Sequence, residues 1–168
     1  LNYILIGLPG SGKSTVGVML AKYIGYGFLD TDLMIQMQEK RMLSEIIEEQ
    51  GPEGFIEVEN RILSCAAVDR CVIATGGSAV YGAEAMTHLK ENGKVIYLKM
   101  SLNQLKRRIR NTFRKRGVVL RRGASVEDLY AERVPLYEQY ADYTIDEHKL
   151  NAEETLQKIL KIIQSDSE

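Results

Sequence analysis

Cysteine is scarce in this chain of 168 residues: Cys65 and Cys71 stand alone. Two thiols at that spacing cannot supply a zinc site, and a secreted disulfide framework carries more of them, so a reduced, cytoplasmic setting is expected. Histidine is equally thin. His88 and His148 lie in polar stretches with no acid at a useful spacing, which offers no histidine-based acid–base pair and places both at the surface. Long apolar runs are missing too: nothing approaches the ~20 residues that cross a bilayer, and the opening LNYILIG is too short for the apolar region of a signal peptide, so a soluble protein without a membrane partner is expected. Excess charge of one sign is absent, with 22 basic against 23 acidic residues, which removes a global electrostatic case for nucleic acid. Repeats, linkers and low-complexity tracts are absent as well. What remains is one domain, residues 1–168, long enough at 45% hydrophobic content for one substantial core and expected to be monomeric.

The even charge total hides an uneven distribution. Residues 99–122 hold ten Lys or Arg and no acid, while residues 30–60 hold nine acids against two bases. Most of the basic run reads as solvated helix face and loop. Binding to single-stranded nucleic acid would call for interleaved aromatics, and only Phe113 qualifies.

Short apolar runs recur at NYILIG (2–7), GFLD (27–30), CVIATG (71–76), KVIYLK (94–99) and DYTID (142–146), separated by amphipathic stretches such as Leu102, Leu105, Ile109 and Phe113. Runs of that length between helical segments are expected as buried parallel strands joined by helical crossovers. The predicted fold is α/β: a three-layer sandwich with a central five-stranded parallel sheet flanked by helices. Ser101 with Gln104 and Asn151 with Glu154 have the spacing of capping boxes that open two of those helices. The Gly- and Arg-rich residues 111–125 are the expected mobile lid.

GLPGSGKST, Gly7 to Thr15, sits between the first strand and the first helix and matches GxxxxGK(S/T) in the context that motif requires. Glycines there let backbone N–H groups turn inward around phosphate oxygens, a lysine reaches the outer phosphates, a hydroxyl is offered to Mg²⁺, and the helix N-terminus adds positive potential. The candidate nucleotide ligands are Gly10, Ser11, Gly12, Lys13, Ser14 and Thr15. Such a cradle serves motors, switches and small-molecule kinases alike. Motors typically end an apolar strand in Asp-Glu, whereas here CVIAT runs into Gly76 and Gly77; the NKxD element of GTPases is absent. Both absences favour a small kinase.

LDTD closes the second run with carboxylates at Asp30 and Asp32. Positions i and i+2 of an extended segment share a face, and strand C-termini open on the ligand crevice of α/β sheets. One acid could order a metal shell while the other meets an acceptor hydroxyl; alternatively, Asp32 or Thr31 caps the next helix. In ERVPLYEQYAD (132–142), Leu129, Val134, Tyr137 and Tyr140 form an ordinary core stripe, with Pro135 kinking or restarting the helix.

Taken in order, GLPGSGKST, LDTD, ATGGSAV (74–80), the arginine-rich loop and ERVPLYEQYAD resemble the shikimate kinase family over nearly the whole chain. That resemblance implies a P-loop kinase fold and Mg²⁺-dependent transfer of the ATP γ-phosphoryl group to the 3-hydroxyl of shikimate, on the route to chorismate and aromatic amino acids. It implies Lys13 and Ser14 as phosphate and metal ligands and Asp30 as support for the metal. Asp32 becomes the residue that holds the acceptor hydroxyls and takes the proton. Gly76 and Gly77 become a turn facing γ-phosphate and substrate, Arg133 binds the acceptor carboxylate, and Arg116, or in another register Arg114, is a catalytic lid arginine that also meets ATP. Residues 30–70 become the acceptor-binding helical region.

Three positions depart from the family pattern. Its Phe-Arg-x-x-Glu reads Phe55-Ile56-Glu57-Val58-Glu59, its third turn glycine is Ser78, and the proline after the lid arginine is Gly117. All lie on the acceptor side. The expected clamp therefore uses Arg133, with Arg61 as a second candidate cation. A kinase of another hydroxylated acid or polyol, and a nucleotide-binding regulatory pseudoenzyme, are the alternatives.

Overall fold

Along a strand successive side chains face opposite ways, and the three central strands of this protein are apolar on both sides. In β1 (Asn2–Ile6), Ile4 and Ile6 enter one apolar cluster while Tyr3 and Leu5 enter another. The pattern repeats in β4 (Gly93–Lys99), where Val95 and Tyr97 alternate with Ile96 and Leu98, and in β3 (Cys71–Ala74). Two cores thus form back to back, one on each face of the sheet. The computed structural model describes residues 1–109 and 123–166 of the chain.

Completed by β2 (Gly27–Asp30) and β5 (Tyr143–Asp146), the five-stranded sheet is parallel throughout, in the order β2-β3-β1-β4-β5. Helices α1 (Lys13–Ile24) and α7 (Ala152–Ser165) cover one face through Val16, Leu20, Leu156 and Ile159. The other face is covered by α2 (Thr31–Glu39), α3 (Leu43–Leu63), α4 (Ala83–Glu91), α5 (Leu102–Ile109) and α6 (Val126–Tyr140). This is the three-layer sandwich expected from the sequence. Burial differs from expectation at the edges: β2 and β5 each have one neighbour, and Phe28 and Thr144 stay exposed. Connections from β1 run first to one flank and later to the other, so the crevice at the strand C-termini opens beside β1.

Local signals set the helix boundaries. Both expected capping boxes form: Gln104 N–H donates to Ser101 Oγ at 3.2 Å, and Glu154 N–H to Asn151 Oδ1 at 2.8 Å, with the reciprocal bonds also made. Ser125 and Asp128 make a third box that opens α6, and that helix continues through Pro135 to Tyr140. Helix α3 breaks at Gly51, whose φ of 74° suits glycine, and Pro52 restarts it. GPEGFIEVEN is therefore the opening of the second half of α3, with Phe55, Val58 and Ile62 in the core and Ile56 half-buried against it. Among the described residues, no helix is long and apolar enough to cross a membrane.

Candidate active site

At the C-terminus of β1 the chain turns through Gly7–Gly12 into α1. The helix begins after Gly12, held at φ 85° with no side-chain cap, and its first turn carries no acid. Its leading N–H groups are thus left for an anion. Lys13 is buried, and its Nζ donates to Gly7 O at 2.8 Å, Leu8 O at 2.9 Å and Ser11 Oγ at 3.3 Å. Burial pulls its pKa down to about 8 even though Asp32, Glu147 and Asp30 oppose the shift, so the ammonium keeps its charge at neutral pH. Ser14 and Thr15 are exposed on the crevice side of the helix start.

Asp30 joins this loop to the next element. It ends β2 and is the N-cap of α2: Oδ1 accepts Asp32 N–H at 2.9 Å and Leu33 N–H at 3.4 Å, while Oδ2 accepts the Ser14 hydroxyl at 3.0 Å. The cap is therefore Asp30, and neither Thr31 nor Asp32. Because the strand stops at Asp30, the two carboxylates do not share a strand face; Asp32 lies in the first turn of α2 and reaches the crevice from there. Thr31, which the sequence offers only as a cap, is buried and accepts Gly76 N–H at 3.1 Å, tying α2 to the turn after β3.

That turn is the meeting point. A Cβ placed on Gly76 would lie 2.7 Å from Asp32 Oδ1 and 3.0 Å from Glu59 Oε2; one on Gly77 would lie 2.9 Å from Arg133 Nη1 and equally close to Pro9. Glycine at both positions lets α2, α3, α6 and the nucleotide loop converge. Arg133 is almost fully enclosed, its guanidinium 5.4 Å over the Tyr81 ring, and Tyr137 donates its hydroxyl to Gly77 O at 2.6 Å while stacking on Tyr97. Glu59, also enclosed, accepts the Ser78 hydroxyl at 2.6 Å. Burial pushes the Glu59 carboxyl up to about 7, with the Ser78 hydrogen bond opposing and the nearby Asp32 charge adding to the rise. Arg61 does not join this cluster. It projects from the exposed side of α3 and pairs with Glu39 at 2.6 Å, because two residues along a helix rotate it well away from Glu59.

Residues 9–164 match the family model for shikimate kinase. The chain belongs to the shikimate kinase family. A shikimate kinase from Thiobacillus denitrificans is 38% identical over 149 residues, which span 86% of this chain and 80% of that protein. One from Thermodesulfovibrio yellowstonii is 35% identical over 162 residues, covering 95% of this chain and 93% of the relative. Among solved structures, a shikimate kinase from Acinetobacter baumannii in complex with shikimate superposes with a TM-score of 0.86 at 32% identity, covering 98% of this chain and 93% of that one.

Within this shikimate kinase fold the structure brings together Lys13, Ser14, Asp30, Asp32, Gly76, Gly77 and Arg133. Arg116, Arg114 and most of the expected lid lie outside the described residues. Three contacts have no signature in the sequence. Ser78, on the turn after β3, is a hydrogen-bond partner of Glu59 on α3. Arg108, on α5, donates to Gly10 O at 2.7 Å and so anchors the nucleotide loop across 98 positions of sequence. Glu147, just past β5, is enclosed, and its pKa is raised to about 7 by burial, with Arg108 and Lys13 opposing. Lys99 and Lys106, by contrast, form surface ion pairs with Glu138 and Glu127, as expected of a solvated basic face. His88, expected at the surface, is half-buried with Nε2 2.7 Å from Ala66 O, while His148 is exposed.

Proposed function

We propose that this protein transfers the γ-phosphoryl group of ATP to a hydroxyl of shikimate. The observation that carries the reading is the convergence on one glycine turn of the nucleotide loop, through Pro9, with the Asp32 carboxylate and the Arg133 guanidinium. A cradle with Lys13 would hold the phosphates, Asp32 would orient the accepting hydroxyl and receive its proton, and Arg133 would pair with the acceptor carboxylate. Phosphoryl transfer develops spread negative charge and needs positioning more than covalent help, which suits buried Lys13 and the open helix N-terminus.

Mg²⁺ prefers octahedral oxygen coordination, keeps several waters and takes few protein ligands. The Ser14 hydroxyl and Asp30 carboxylate, 3.0 Å apart at the loop, fit that demand. When bound, the ion would neutralise phosphate charge. A cytoplasmic, monomeric enzyme remains part of this reading, as does an acceptor-binding role for residues 30–70.

Ile56 favours a second reading, in which the acceptor is another hydroxylated acid or a polyol. A coupled assay with ATP, Mg²⁺ and shikimate separates the two. Saturable turnover at millimolar shikimate or below supports the first; turnover only with other hydroxy acids or polyols supports the second, and ATP binding without any transfer rejects both.

A further inference from the structure

Glu59 sits on α3 between the apolar core residues Phe55, Val58 and Ile62, with the charges of Arg133 and Lys13 near enough to favour its ionised form. It is 1% exposed; Oε1 accepts the Ser78 hydroxyl, while Oε2 faces Gly76 and has no hydrogen-bond partner among the described residues. Burying a carboxyl group with half of its acceptor capacity unused is unfavourable, and calls for a specific reason.

The Ser78 bond completes a pattern. Each of three successive turn residues is tied to a different helix. Gly76 N–H is held by Thr31 at the start of α2, Gly77 O by Tyr137 of α6, and Ser78 Oγ by Glu59 of α3. A glycine at 78 could not make the third tie. Ile56, one turn earlier on α3, gives Glu59 an apolar neighbour on its own helix. The hydrogen bond of Glu59 thus runs to the turn and not along its own helix.

Resting on the acceptor reading above, we propose that Glu59 is a positioning residue for the acceptor-facing turn in this chain, fixing Gly76 and Gly77 through Ser78. Its effect should fall chiefly on the acceptor, because the nucleotide loop, which meets the turn at Pro9, has its own anchors in Lys13, Asp30 and Arg108.

Steady-state kinetics with ATP and shikimate, combined with hydrogen exchange of the unliganded protein, test this. Ser78→Ala removes the tie with little change of volume. It should raise KM for shikimate roughly tenfold, the scale of one hydrogen bond to a carboxylate, and leave KM for ATP within about twofold. Glu59→Gln keeps an acceptor for the Ser78 hydroxyl and should raise KM for shikimate less than Ser78→Ala does. The double variant should be no worse than Ser78→Ala, since both act through one bond. In the same Ser78→Ala protein, amide exchange in residues 71–80 should accelerate while the rest of the sheet keeps its protection. An unchanged shikimate KM overturns the proposal, and so does a parallel rise in both KM values with faster exchange throughout, which marks general destabilisation. Should the unmodified chain turn over no shikimate, the acceptor reading fails by itself; exchange confined to 71–80 would still support the tie, and unaltered exchange would sink that too.

Discussion

Raising the pH from 5.0 to 7.5 should weaken this fold through Glu59, and the size of the effect can be worked from its burial. An ordinary glutamate titrates at 4.5, and enclosure raises Glu59 to about 7. The folded protein therefore holds a proton that the unfolded chain has already lost across that interval. Stability linked to the proton is fully present below 4.5 and is lost as pH climbs through 7. At 1.36 kcal/mol per unit, the part falling between pH 5.0 and 7.5 is roughly 2 kcal/mol. Urea unfolding at the two pH values, on the unmodified protein and on Glu59→Gln, isolates the term, because every other titrating group is common to both. The unmodified chain should lose about 2 kcal/mol more than the variant over that range. Lys13 does not interfere, since its lowered pKa of about 8 is linked to stability at higher pH. Equal pH slopes for the two proteins would show that folding does not raise the Glu59 pKa, and the account of its burial would be wrong.

Lys13→Ala should lower kcat by at least about a hundredfold in the ATP and shikimate assay, as loss of a charge aimed at the transferring group does; normal turnover would remove the phosphate-cradle assignment. Asp32→Asn should abolish transfer while a fluorescent ATP analogue binds with unchanged affinity, whereas a large loss of nucleotide binding would move Asp32 to the nucleotide side. Ile56→Arg supplies a second guanidinium beside Glu59 and should lower KM for shikimate by about tenfold, the scale of a charge-assisted hydrogen bond; loss of activity would point to a different acceptor. Asn151→Ala deletes the cap of α7 and should cost about 1 kcal/mol in urea melts without touching KM for either substrate.

Features written in contiguous residues were legible. Apolar runs marked the five strands to within two residues, Gly7–Thr15 declared its loop, and the pairs Ser101/Gln104 and Asn151/Glu154 announced their helices. Each depends on local spacing, which the sequence displays directly. Features that depend on where one element ends, or on what lies across the fold, were not. Asp30 could be known as the cap only once the strand was seen to stop there, and a one-residue shift in that boundary separates it from Asp32. Helical periodicity gave Tyr137 a core position but could not say that Arg133, one turn earlier, is enclosed with it. Neither could it give Glu59 a partner 19 residues away on a different element, or send Arg61 to Glu39.

Asp30 carries a practical warning for anyone who mutates this loop. Its two oxygens serve two clients: one closes the start of α2, which delivers Asp32, and the other receives the hydroxyl of Ser14. An alanine at 30 would thus be a compound lesion, mixing a frayed helix with a lost Ser14 contact, and its phenotype could not be credited to either. Asparagine is the cleaner probe. It retains a capping oxygen while discarding the negative charge, so comparing the two variants separates what the fold asks of this residue from what the chemistry asks.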